Sequence, residues 1–429
     1  MVETLARSLT PSSAKPQIEP PEKRSVLLRL ISSTTIITIL LFAAINFAVE
    51  KYDPLEHLFW TGLTGARQHI FVSKLPRLMT ASKSPDVLVL GSSVSLYPAV
   101  RADDDLAGRK ARWDFWYERN VILPYDKVQF LEHHLSEWSG QPVSVSNASV
   151  AGSLISDQYL ILKKFLATGK KTRALVVCLS PRDFLDNGRL EIDNTPTYNV
   201  LGDWSSLPEL FSNGASWQSI TDVALGNFSE YYRHRQEYSQ FVTNLTAQTL
   251  KRPVSLYEAT RQTRAKAAAP PAASELKPAG KKRDTFYNPS NTAVFIEPPN
   301  TLYHLDEYKK MYLPLSAQQF AAQTDYFNKF LRLAAKNNIP VLVVSTPLPV
   351  ENTGILPRNT LEQYRKVLAD GCAATGATLL VPNEEQSYET ARDFEDASHM
   401  NTSGGIKFYT SILEALKREP KLSANFPRK

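Results

Sequence analysis

A strand-like run, Asp86-Val-Leu-Val-Leu90, breaks into Gly91-Ser92-Ser93, and near the other end of the chain stands Asp396-Ala-Ser-His399. These residue types can carry out nucleophilic attack on a carbonyl. A hydroxyl at the carboxyl end of a buried strand is lifted clear of the sheet by the turn, and the N-terminus of the helix that follows favours developing negative charge. The hydroxyl still needs a base. His399 can take its proton, and Asp396, close by in sequence, can orient the imidazole and stabilise its protonated form.

The pattern resembles the SGNH (or GDSL) superfamily of esterases and acyltransferases, in which the nucleophile lies early in the domain and an Asp-x-x-His pair near its end. The likeness extends to Asn147-Ala-Ser-Val-Ala-Gly152-Ser153, similar to the family segment whose glycine amide donates to the oxyanion, and to the closing block Asp396-Ala-Ser-His-Met-Asn401-Thr-Ser-Gly404. The family register, with the nucleophile second after the glycine, selects Ser93 over Ser92 and Ser95. It implies a catalytic set of Ser93, Asp396 and His399, and an oxyanion site built from Ser93 and Gly152. A third block departs from the family. Where Gly-x-Asn-Asp is usual after the third strand, this chain has Pro181-Arg182-Asp183-Phe184, so Arg182 stands in the asparagine's place. A guanidinium there can donate to the oxyanion or clamp an anionic acceptor. The plainer alternative is a salt bridge, with Asp183 the nearest partner in sequence. Plainer alternatives exist elsewhere too: Gly152 as a turn residue, Asp396 as the cap of the last helix and His399 packed on its start.

The elements that must position these residues follow an α/β rhythm. Short apolar runs at 86–90, 143–147, 174–179, 340–345 and 377–381 read as strands of a sheet covered on both faces. Helical spacing marks 154–166, 360–374 and about 405–417. Ser316-Ala-Gln-Gln319 is a capping-box start for a helix whose buried face carries Phe320, Phe327, Phe330, Leu331 and Ala334. The expected fold is α/β, a three-layer α/β/α sandwich around a parallel five-stranded sheet, of SGNH or flavodoxin-like type, with functional loops at the strand carboxyl ends. The rhythm lapses at about 185–315, read as a helical insertion. Within it the Ala, Pro and Lys-rich stretch at about 262–285 reads as a disordered loop.

Upstream, residues 1–29 read as a flexible tail that carries four prolines, Pro11, Pro16, Pro20 and Pro21. Residues 30–49 are free of charge and of a length to cross a bilayer as a helix, and 50–84 read as a juxtamembrane segment containing Leu58-Phe-Trp60. The SGNH-like domain then occupies 85–429. Lys23, Arg24 and Arg29 precede the apolar run and Glu50 follows it, so the positive-inside rule leaves the N-terminus in the cytoplasm and exports the large domain. A cleaved signal peptide is the alternative, though the run exceeds a usual signal core.

The chain of 429 residues is 43% hydrophobic, enough for a large core, which excludes general disorder. Its net charge of +6 gathers partly around the apolar run and at Lys281-Lys-Arg283, and implies no nucleic-acid partner. The two cysteines, Cys178 and Cys372, do not make a disulfide framework. No histidine joins Cys or carboxylates in a zinc spacing, and His133 and His134 read as a helix surface; neither metal nor cofactor is expected. Together with the resemblance, these features lead to an expectation of a single-pass inner- or plasma-membrane protein with a periplasmic or extracellular catalytic domain. It would cleave or transfer an acyl group on an envelope glycan, alongside a membrane-bound acyltransferase partner. A non-catalytic glycan-binding or assembly component is the alternative.

Overall fold

In the computed structural model, residues 34–52, 72, 74–108, 125–189, 195–249 and 304–426 are described. They fall into two units, residues 1–53 and 54–429. In the first, the described residues form helix α1 (Thr34–Tyr52), whose apolar side chains, among them Ile37, Leu40, Leu41 and Phe47, are exposed. The expected span starts at residue 30, and 30–33 lie outside the described residues. Among the described residues no helix is long and apolar enough to cross a membrane.

The second unit opens with a short helix, α2 (Lys74–Thr80), before the first strand, β1 (Val87–Gly91). The sequence Val-Leu-Val-Leu forms a central strand because both faces of it are covered: all four side chains are fully buried. Helix α3 (Ser93–Leu106) follows directly, then α4 (Gln129–Ser139), β2 (Val145–Asn147), α5 (Ile155–Ala167) and β3 (Ala174–Leu179). From residue 195 to residue 312 the described chain is helical, including Trp217–Phe228, Arg235–Thr249 and Leu305–Tyr312. The stretch expected to be disordered, at about 262–285, lies outside the described residues. Helix α6 (Ala317–Lys336) returns to the sheet. It is followed by β4 (Val341–Ser345), α7 (Arg358–Thr375), β5 (Thr378–Leu380) and α8 (Thr402–Arg418).

The five strands are all parallel, in the order β2-β1-β3-β4-β5. Reversal of the strand order at β1 is the place where loops diverge to opposite sides and leave a crevice at the strand carboxyl ends. Alternate side chains face opposite layers. Leu88, Leu90, Leu175, Val177 and Val343 pack against α5, α6 and α7 through Phe165, Phe327, Phe330 and Leu368. Val89, Val176, Cys178, Leu342 and Val344 pack against α3, α4 and α8 through Ala99, Leu131, Phe408, Ile412 and Leu416. The two cysteines belong to opposite layers, and both are buried and free. The expected capping box at α6 forms on one side: the Ser316 side chain accepts from the Gln319 amide at 3.2 Å.

Phe330 is wholly enclosed between α6 and the sheet. Phe330→Ala should therefore cost about 3–5 kcal/mol in a urea-unfolding measurement on the domain, through lost transfer energy plus the cavity left behind.

Candidate active site

At the end of β1 the chain has no room for a side chain. A Cβ on Gly91 would lie 2.6 Å from Ser95 Cβ and 3.0 Å from the Cys178 carbonyl oxygen. Ser92 is buried and N-caps α3, and Ser93, half-buried, is the first residue of that helix. Its position at the helix start exposes it to unpaired amides and the positive end of the helix dipole.

A polar network holds this turn. The Gly91 carbonyl accepts from the Val150 amide at 3.0 Å, Ser153 Oγ at 3.0 Å and Gln158 Nε2 at 2.8 Å. Gln158 Oε1 also accepts from the Gly91 amide at 3.0 Å, so one side chain of α5 binds both backbone groups of that residue. Gly152 lies in the turn between two of these donors, Val150 and Ser153, with φ 77°, a left-handed conformation that favours glycine. The strand–helix turn carrying Ser93 and the turn carrying Gly152 are thereby joined. Ser95 Oγ and Ser149 Oγ, 3.0 Å apart, add a second link.

Arg182 is buried beside the same turn. Its Nη1 donates to the Ser153 carbonyl at 3.1 Å and its Nη2 pairs with Asp186. The ion-pair partner is thus Asp186 rather than the neighbouring Asp183 that adjacency suggested. Asp183 turns back, and its Oδ2 accepts at 2.7 Å from the amide of Ser180, the residue that caps a single helical turn of which Asp183 is the third member. Burial pushes the Asp183 carboxyl up to about 6, against the pull of Arg182.

Asp396 and His399 meet as their spacing predicted. Asp396 Oδ2 lies 2.7 Å from His399 Nδ1, while Oδ1 accepts from the amides of Ser398 at 2.8 Å and His399 at 2.7 Å. Burial works against this carboxylate's charge, but the His399 ring and these donors hold it below the usual carboxylate range. A donor on Nδ1 facing a carboxylate leaves Nε2 as the proton-accepting nitrogen. The ring stacks on Tyr97, centroids 3.9 Å apart and planes 20° off parallel. Tyr97 lies four residues beyond Ser93, so the stacking holds the imidazole against the helix that Ser93 begins. The cap of α8 is Asn401, which accepts from the Gly404 amide at 3.2 Å; Asp396 is therefore not the cap.

Arg101, Gln158 and Asn352 are supporting residues that escaped the sequence reading. Arg101 on α3 donates through Nε (3.0 Å) and Nη2 (2.6 Å) to Glu395, fixing the His399 loop to the helix of Ser93. Its spacing from Ser93 and Tyr97, at i+8 and i+4, was a visible signal. Gln158, a polar residue on the apolar face of α5, was another. Asn352 Nδ2 donates to the Ala397 carbonyl at 2.8 Å inside the loop. His133 and His134 do lie on a helix surface, where Glu137 approaches them at 3.3 and 3.2 Å; this trio, with His134 half-buried, is the group with metal-ligating atoms close together among the described residues.

Burial pushes the Glu395 carboxyl from its ordinary 4.5 up to about 8, opposed by Arg101 and reinforced by Asp396. Folded-state protonation above the unfolded value means that this group's stabilisation is complete below 4.5 and is lost as pH rises towards 8. Glu395→Gln should flatten that decline in unfolding midpoints measured across the interval. No known protein-family model matches the sequence, and comparison with curated proteins returns no match.

Proposed function

We propose that this chain is a membrane-anchored, exported serine esterase or O-acyltransferase of the SGNH type, acting on acyl esters of a cell-envelope or exopolysaccharide glycan. The observation that carries the reading is the Asp396–His399 hydrogen bond of 2.7 Å, with the imidazole stacked on Tyr97 one turn from Ser93. A buried carboxylate on Nδ1 and a hydroxyl at a strand–helix turn have the roles of orienter, base and nucleophile.

His399 Nε2 takes the proton from Ser93 Oγ as the oxygen attacks the ester carbonyl. The tetrahedral oxyanion lies against the amides of Ser93 and Gly152, which the Gly91 network holds in place. As the intermediate collapses, the C–O bond to the leaving alcohol breaks, and that oxygen takes the proton from His399. Water or a sugar hydroxyl then attacks acyl-Ser93, gives its proton to His399, and the second collapse returns that proton to Ser93. Hydrolysis and transfer differ only in that acceptor. Arg182, tied to the Ser153 carbonyl, braces the Gly152 turn and places positive charge beside the oxyanion.

The proposed anchor is the uncharged run of residues 30–49, and the part of it that lies in α1 has exposed apolar side chains that suit lipid. Lys23, Arg24 and Arg29 hold its N-terminal end in the cytoplasm and leave the catalytic domain outside, where a membrane-bound acyltransferase would supply the acyl group. A glycan-binding protein without turnover is the second reading, favoured by the commitment of Arg182 to Asp186.

A fluorophosphonate probe should label the wild-type protein at Ser93, and Ser93→Ala should abolish both labelling and acyl-ester turnover without lowering Tm. His399→Ala should slow turnover by roughly three orders of magnitude or more, and Asp396→Asn by less than His399→Ala. Folded wild-type protein that takes no label would sink the enzyme and leave the binding reading.

A further inference from the structure

A second concavity lies at the β2 edge of the sheet and includes none of the residues assigned to catalysis. It is a cleft of about 230 Å³ lined by Lys74, Arg77 and Lys83 from α2 and the chain after it, by Asp126, and by Ser146 and Asn147 of β2. Three cationic side chains thus face one carboxylate. Two of the polar lining groups are buried, which distinguishes the cleft from a patch of solvated lysines. Lys74 is 4% exposed, with Nζ 3.4 Å from the Tyr125 carbonyl. Burial pushes its ammonium down to about 7; Asp126 pulls it up and Arg77, a like charge one turn away, pushes it further down.

Asn147 is 2% exposed. Its Oδ1 accepts from the Ser149 amide at 3.0 Å, which fixes the amide plane and leaves Nδ2 without an acceptor among the described residues. A buried NH2 without an acceptor is unfavourable, and so is a desolvated lysine crowded by an arginine. One kind of ligand relieves both: an acceptor that carries negative charge.

We propose that this cleft binds a small oxyanion, the carboxylate or phosphate group of a ligand, with Lys74 and Asn147 donating from its floor and the exposed Arg77 and Lys83 at its mouth. The geometry suits a compact head group, because the floor donors are fixed by burial while the mouth donors are long and adjustable. This site stands independently of the serine chemistry.

The test is calorimetric titration of the full-length protein in detergent with inorganic phosphate and, separately, with acetate. Saturable binding of at least one probe is expected, and the probe that binds identifies the head group as phosphate or carboxylate. Asn147→Asp keeps the acceptor for the Ser149 amide and replaces the donor by a charge, so it should weaken binding by roughly tenfold or more. The double replacement Arg77→Ala with Lys83→Ala, at exposed positions, should weaken it severalfold without lowering Tm. No saturable binding of either anion, or an unchanged Kd in both variants, would overturn the proposal.

Discussion

The carbonyl of Gly91 is the point on which the candidate site depends. A carbonyl at the end of a parallel strand ordinarily has a ladder partner or water; here it holds three donors from the β2–α5 segment. Each bond is individually modest, but a buried acceptor with its donors removed loses far more than the bond is worth on average. The arrangement therefore resists partial loss. It also explains why Gly91 must be a glycine, since the helix that carries Ser93 passes too close for any Cβ. Strand end, helix start and the Gly152 turn are held as one rigid unit before any substrate arrives, which is the condition for oxyanion stabilisation without reorganisation.

The second half of the site is tethered by a buried hydrogen-bonded pair. Arg101 donates twice to Glu395 between α3 and the loop of His399. Burying such a pair stabilises less than apolar packing would, yet removing one partner is severe, so its contribution lies in selecting one arrangement. Gly404 supports the same loop from α8, because a Cβ there would fall 2.1 Å from the Asp393 carbonyl oxygen. Loop, helix start and the Asp396–His399 pair thus share their restraints.

Much of this was legible in sequence where local chemistry decides the outcome. Short runs rich in aliphatic residues marked the strands to within two residues, and the Asp-x-x-His spacing gave the contact between Asp396 and His399 because both residues sit in one tight turn. Pairings across the chain were not legible. Adjacency pointed to Asp183 for Arg182, but a single helical turn carries Asp186 round to the guanidinium while Asp183 is consumed by the Ser180 cap. Asp396 looked equally able to cap α8 until Asn401 was seen to occupy that place. Gln158 and Arg101 act through partners far away in sequence, and no local pattern reports such partners.

The span between those partners has a temporal consequence. Arg101 and Glu395 are 294 residues apart, and His399 meets Tyr97 across a similar distance. Closing so long a loop carries an entropic cost that contacts made early in synthesis cannot offset, and contacts of this range form late in folding. A growing chain holds the turn of Ser93, and three strands of its sheet, well before residues 396–399 are made. Until α8 has packed against α3, the Asp396–His399 pair is not fixed to the helix that Ser93 begins, so the candidate site is the last part of the domain that topology allows to close.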